Sequence, residues 1–338
     1  MPNLVSILIP AYNAEKWIGD AVRSALDQTW PKKEIIIVDD GSCDDTLSIA
    51  RRFESRSVKV LTQENRGAAA ARNTGLRIAQ GDYIQWLDAD DLLAPDKIAN
   101  QLEGADGGQS SRVLLSGAWG RFYHLPENSK FVPDMLWEDM LPVEWLFRTL
   151  DGNLWMAIES WLVSRRLTEM AGPWNENLSL DDDGEYFTRV LSCSTRILFI
   201  SEARCFVRRA TFGLSSDINL SDRKLDSQAF SLFSYIRTVR TMEESQRTRE
   251  ACLKLLNRWA IYFYPERLDL FKRMQSMAAE LGGQINIPQL RPKYQWIQKI
   301  FGWRIAKKSQ HVFPALRSVA KMNWERFCCL WSVEKYYR

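Results

Sequence analysis

Histidine is almost missing from this chain: only His124 and His311 occur in 338 residues. A zinc or iron centre built on imidazoles is therefore not expected, and metal chemistry would have to run on oxygen ligands, which suit magnesium or manganese. Cysteine is scarce as well. Cys43, Cys193, Cys205, Cys252, Cys328 and Cys329 form no Cys-x-x-Cys pair, which leaves out a thiolate zinc knuckle and a dithiol redox motif. No apolar run reaches the ~18 residues needed to cross a bilayer. The first residues, Met1 to Val5, carry no basic leader, and the apolar run that follows stops at Pro10. A cytoplasmic protein with reduced thiols is the expectation.

Neither sign of charge dominates, with 45 Lys and Arg against 42 Asp and Glu. The balance is uneven along the chain, however. From Arg291 onward eleven basic residues face only Glu325 and Glu334, a net +9 that leaves −6 for the first 290 residues. A mildly acidic body with a basic end does not fit general nucleic-acid binding; it fits one local contact with an anionic surface. A hydrophobic content of 46% argues against disorder.

What is present begins with a repeated alternation. Val5 to Ile9, Glu34 to Val38, Val58 to Thr62, Tyr83 to Leu87 and Val113 to Leu115 read as short buried strands. Helical spacing runs through Glu15–Thr29, Thr46–Phe53, Gly67–Ala79 and a stretch from Pro95. Such winding predicts an α/β fold, a mostly parallel sheet with helices on both faces. No Gly-x-Gly-x-x-Gly follows the first strand, so the dinucleotide fingerprint is missing.

The strand ends carry the polar chemistry. Gly81-Asp-Tyr-Ile-Gln-Trp-Leu ends in Asp88-Ala89-Asp90-Asp91, and the carboxyl edge of an open α/β sheet is where ligands bind. Two carboxylates one residue apart can grip a hard divalent cation that already carries phosphate oxygens. The motif is common by itself, and an acidic helix entry is the plainer reading; its place after a strand is what distinguishes it. The loop after the first strand is Pro10-Ala11-Tyr12-Asn13, and the second strand ends in Asp39-Asp40. A carboxylate there can accept the imide N–H of a uracil and Tyr12 can lie against a base, while a turn at Pro10 and a helix cap at Asp40 are equally open.

Four motifs in order, Val5 to Asn13, Ile37 to Ser42, Asn65-Arg66-Gly67 with Ala71-Arg72-Asn73, and Gly81 into Asp91, resemble the family-two inverting glycosyltransferases of the GT-A fold. The resemblance is strong over about 1–120 and continues to about 210. It implies that Pro10, Ala11, Tyr12, Asp40 and Arg72 hold the nucleotide, that Asp88 faces ribose or metal, and that Asp90 ligates Mn²⁺ or Mg²⁺. The family places an acidic pair at a helix start six residues before an Arg, its second acid being the catalytic base. Asp183 and Arg189 match that spacing, with Asp182 where Glu is usual, which leaves the base between Asp182 and Asp183 with Asp183 preferred. Phe206 to Ser216 resembles the family's loop that closes over the donor, with Arg208 or Arg209 reaching the diphosphate.

The resemblance implies a metal-dependent inverting transferase acting on a nucleotide-diphosphate sugar, UDP-linked by expectation, in bacterial cell-surface glycan synthesis. A glycan, lipid-linked or protein hydroxyl would be the acceptor. Two rivals are a sugar-1-phosphate nucleotidyltransferase, for which no Gly-rich basic loop follows strand one, and a silent nucleotide-sugar binder, which would not need Asp183. The chain divides by expectation into a catalytic domain at 1–216 (nucleotide half 1–116, acceptor half 117–216), a helical extension at 217–283 and a basic amphipathic tail at 284–338. The dense tryptophans from Trp119 to Trp174 read as core by default, and Ala157 to Val163 as a strand. In the tail, Tyr294 to Lys308 and a segment after Pro314 set basic residues among Trp and Phe at helical spacing. They read as an in-plane contact with the inner face of a membrane or as a helical cap on the catalytic domain.

Overall fold

The computed structural model describes residues 3–105, 111–209 and 221–309. Strand β1 (Val5–Ala11) lies between β2 (Lys33–Asp39) and β4 (Tyr83–Trp86), parallel to both, with β3 (Val58–Thr62) outside β2 and β8 (Val163–Ser164) antiparallel on β4. A second sheet orders β5 (Leu92–Leu93), β9 (Arg196–Arg208), β6 (Val113–Phe122) and β7 (Lys130–Phe131), with β6 and β9 parallel.

The near-continuous apolar runs of β1 and β2 follow from burial on both faces. Ile7, Ile9, Ile35 and Ile37 pack into one cluster with α1 (Ile18–Leu26) and α2 (Thr46–Arg51). Leu8, Ile36 and Val38 pack on the other side with α3 (Ala68–Ile78). Four further helices, α4 (Lys97–Gly104), α5 (Pro142–Gly152), α6 (Arg165–Ala171) and α7 (Asp182–Cys193), belong to this body, and α8 (Asp222–Met242), α9 (Gln246–Phe263) and α10 (Leu268–Glu280) follow it. The apolar cluster under α3 does not stop at the sheet. It runs through Trp86, Trp161, Trp174 and Tyr186 into Leu232, Phe263 and Met274 of α8, α9 and α10. Most of the middle tryptophans are thus core, each large side chain worth ~1.5–3 kcal/mol when fully buried, whereas Trp155 stays 41% exposed.

Two expectations change. The run Ala157 to Val163 is not one strand: Ile158–Ser160 form a single 3₁₀ turn that sends Glu159 inward, where it is 2% exposed, Leu162 makes an isolated bridge to Leu115, and only Val163–Ser164 form a strand. The strand expected at Val113 to Leu115 extends to Phe122 and joins the second sheet. In the tail, α11 (Pro292–Phe301) and a helical stretch at 303–309 are described; the segment after Pro314, with Cys328 and Cys329, lies outside the described residues, as does most of the loop to Ser216. No helix among the described residues is long and apolar enough to cross a membrane.

Candidate active site

The carboxyl ends of β1, β2 and β4 meet at one edge. Pro10 and Ala11 end β1, and Tyr12 beyond them is 49% exposed. Asn13 takes a left-handed φ of 49°, and its Oδ1 accepts the Cys43 N–H at 2.9 Å while its own N–H donates to Ser42 Oγ at 3.0 Å. The first two loops are therefore tied together.

Asp40 is buried and already engaged. Its Oδ1 accepts from Gln63 Nε2 at 2.7 Å and the Arg66 N–H at 3.0 Å, and its Oδ2 accepts the Gly67 N–H at 2.7 Å, at the start of α3. It ties down the loop that leads into α3, and with about four lone-pair sites on a carboxylate one acceptor position is left for a ligand. Its neighbour Asp39 was not singled out by sequence reasoning. Asp39 Oδ2 accepts from Thr62 Oγ1 at 3.2 Å, while Oδ1 is buried without a partner.

Arg72 is the centre of the arrangement. The side chain rises from α3, buried, and donates to Asp88 Oδ1 and to Asp182 Oδ2, each at 2.8 Å. Its guanidinium lies 4.4 Å from the centre of the Trp174 ring, which stacks on Tyr186 at 4.1 Å. Burial works against the charge, but Asp88 and Asp182 outweigh it and raise its pKa. Asn73 supports the same wall, exchanging hydrogen bonds with the Trp174 backbone at 2.9 Å in both directions. One helix thus joins two acidic motifs more than ninety residues apart.

The turn from Asp88 to Asp91 is braced from behind. Glu159 Oε1 accepts the Asp88 N–H at 3.2 Å, and Asp91 Oδ1 accepts the Arg208 N–H at 2.6 Å. Burial, then the Asp88 charge, pushes Glu159 up to about 8, and burial with Glu159 raises Asp91 well above the usual carboxylate range. Like charges this close in a dry site do not both ionise, so the hydrogen-bonded pair retains a proton at neutral pH. Burial and Asp88 push Asp90 up to about 6. One oxygen each from Asp88, Asp91 and Glu159 lies within 4.8 Å of the others, and Asp90 is outside that group. Beneath them Lys97 is fully buried, its Nζ donating to Gln85 and to the Trp161 carbonyl, and burial lowers its pKa to about 7. Glu159 and Lys97 escaped the sequence reading; the one signal was an acidic residue set inside an apolar run.

At α7, Arg189 forks onto Glu185 at 2.8 and 2.9 Å and reaches the Pro173 carbonyl at 2.9 Å, so it anchors the helix rather than facing the edge. Asp181, at φ 58°, accepts from Gln228 Nε2 at 2.8 Å and from the Tyr235 hydroxyl. Asp182 is spoken for by Arg72. Burial and Asp182 push Asp183 up to about 6, and Asp183 lines a cavity with Trp145 and Trp155. The two arginines after β9 also diverge. Arg208 is buried, clamped 4.2 Å from Trp17 and 4.4 Å from Phe122, with its Nε on the Asp90 carbonyl at 2.9 Å. Arg209 is exposed and meets the Tyr123 hydroxyl at 2.9 Å.

A mainly parallel sheet whose carboxyl edge gathers two acidic motifs matches the GT-A type of fold, with a helical C-terminal region behind it. Residues 6–130 match the model of the family described as Glycosyl transferase family 2. It is similar to the putative teichuronic acid biosynthesis glycosyltransferase TuaG of Bacillus subtilis, 48% identical over 103 residues, 30% of this chain and 41% of that one. The chain spans about two fifths or less of the length of the curated relatives it matches first. In fold it resembles S. aureus TarS 1-349, solved in complex with UDP-GlcNAc, at a TM-score of 0.64 and 18% identity over 90% of this chain and 91% of that one. It also resembles the mannosyltransferase PcManGT of Pyrobaculum calidifontis, solved with GDP-Man and Mn²⁺, at a TM-score of 0.51 and 19% identity over 93% and 88%.

Proposed function

We propose that the chain transfers one sugar from a UDP-linked donor to an acceptor hydroxyl with inversion, in the synthesis of a bacterial surface glycan. The observation that carries this reading is the Arg72 bridge, which holds Asp88 and Asp182 at 2.8 Å each and so brings the donor-side and base-side acids into one site. The UDP-GlcNAc bound to TarS and the polysaccharide role in the name of TuaG support the donor and the setting.

In this reading Tyr12 lies against the base, and Asp40 uses its remaining acceptor position for the imide N–H. The carboxylate oxygens that Asp88 and Asp90 offer at the turn suit a hard divalent cation by donor type. Asp88 and Asp90 would hold it, because Asp91 and Glu159 are taken up with each other and with peptide N–H groups. When bound, Mn²⁺ or Mg²⁺ neutralises charge on the departing diphosphate. Arg209, being exposed, is the arginine placed to reach that diphosphate; Arg208 spends its donors on the turn. Asp183 takes the proton as the acceptor O–H bond breaks, the acceptor oxygen bonds to the anomeric carbon, and the electron pair of the old C–O bond leaves with UDP. Residues 1–216 form the catalytic unit in this reading, 217–283 its helical extension, and 284–338 a tail that brings the cytoplasmic enzyme to the inner face of a membrane.

Incubation with UDP-sugars, manganese and water tests the reading. Slow UDP release is expected, and Asp90→Ala should lower it at least tenfold with weaker manganese dependence. Pyrophosphate release from a nucleoside triphosphate would favour a nucleotidyltransferase instead, and UDP binding without turnover a silent binder.

A further inference from the structure

Between α5, α7, α8 and α9 lies a cavity of ≈ 260 Å³, walled in part by Trp145, Trp155, Trp161, Tyr235, Asp181 and Asp183. Its position follows from how α7 begins. Of the two adjacent acids, Asp182 is held by Arg72 at 2.8 Å, whereas among the described residues no side chain donates a hydrogen bond to Asp183. Asp183 senses the charges of Arg72 and Asp88 on the donor side and also forms part of the cavity wall. The cavity therefore reaches one of the two adjacent acids at the start of α7.

The lining has two chemistries. Flat indole faces suit the C–H side of a sugar ring, and carboxylates suit its hydroxyls. Trp145 is one of the lining indoles and is only 7% exposed. A hydrocarbon chain in the same space would leave the Asp183 carboxylate desolvated and unpaired, which is costly. Size narrows the choice further, since ≈ 260 Å³ falls just below the roughly 300 Å³ at which pockets for drug-sized ligands begin. One ring fits; an oligosaccharide must extend outward, and Trp155 is the lining tryptophan that stays exposed.

We propose that this cavity seats the terminal pyranose of the acceptor, with the hydroxyl to be glycosylated placed at Asp183. The inference rests on the transferase reading above and gives it an acceptor class: a glycan that ends in a sugar, rather than a bare lipid or peptide hydroxyl.

Saturation-transfer NMR on the full chain tests it, with methyl β-glucopyranoside, methyl N-acetyl-β-glucosaminide and n-octanol as probes and calorimetric titration of UDP with manganese alongside. At least one pyranoside should receive saturation, and the signal should fall threefold or more in Trp155→Ala and in Thr149→Leu, which narrows the cavity from α5. UDP affinity should stay within twofold in both. Because Trp155 is 41% exposed, its truncation leaves the fold in place even if Thr149→Leu does not. Signal from n-octanol alone, or pyranoside signal unchanged in the folded variants, overturns the proposal. Normal UDP binding with no pyranoside signal sinks the acceptor seat and leaves the transferase reading intact, while loss of both in the unaltered chain sinks both.

Discussion

In the proposed mechanism Asp183 is the side chain on which the chemistry turns, and its surroundings then set a pH dependence. Burial and the Asp182 charge raise it to about 6, and a general base works only when ionised. Turnover should therefore be full well above pH 6 and decline as pH falls through that value, with an acidic limb near 6 in a kcat profile. Asp183→Asn should remove the limb and lower kcat by ~10²–10⁴, whereas Asp182→Asn, which frees one arm of Arg72, should act mainly on UDP affinity. Persistence of the limb in Asp183→Asn would place the base elsewhere. At this scale the sequence located Asp40 and Asp88 just past strand ends and Asp182 at a helix start, where the fold has them. It was silent on Glu159 and Lys97, since a buried charge inside an apolar stretch has no periodicity of its own and is recognised only by what it meets across the fold.

Among the elements, the opening of α7 shows why spacing alone falls short. The acid-to-Arg interval located the helix, yet Arg189 serves to anchor it to the 172–173 turn, and the pairing of Asp182 with Arg72 is invisible without the third dimension. Gly184 sits in the first turn of that helix at a point where an added Cβ would collide with the Tyr235 hydroxyl and Asp181 Oδ1. Two effects compete in Gly184→Ala: better helix propensity stabilises by ~1 kcal/mol, while overpacking costs ~1–3 kcal/mol. Steric cost should win because both neighbours belong to one buried hydrogen bond, so denaturant unfolding should show a net loss of ~1–2 kcal/mol. A gain in stability would mean that Tyr235 gives way freely. The misread strand at Ala157 to Val163 has the same origin: its apolar pattern is real, but a 3₁₀ turn satisfies it as well as a ladder does.

Over the whole molecule, the described part of the basic tail packs on the helices that follow the catalytic body, and the membrane contact stays a proposal. Tyr294 and Ile297 pack with Ile261 of α9, and Lys307 Nζ donates to the Tyr262 and Tyr264 carbonyls and to Glu266 at 3.1, 3.0 and 2.6 Å, so this part caps the helical extension. The outer side exposes Trp296, Ile300, Phe301 and Ile305 beside Lys293, Lys299, Arg304 and Lys308. Each such cation contributes about 1 kcal/mol near an anionic bilayer, and the apolar residues add insertion. The full chain should therefore sediment with phosphatidylglycerol vesicles and come off with salt, and Ile300→Asp with Phe301→Asp should reduce capture several-fold. Undiminished capture in that double variant would move the contact elsewhere. One further consequence follows from the apolar cluster that passes from the sheet through Trp86, Trp174 and Tyr186 into α8, α9 and α10. Segments that share a core open together, in one cooperative unit. Amides in α10 and in β1 should then exchange with solvent deuterium through the same rare opening, and occupancy of the edge beside Arg72 should slow the two by an equal factor. The distant helices thereby register whether the enzyme is loaded without touching anything it binds.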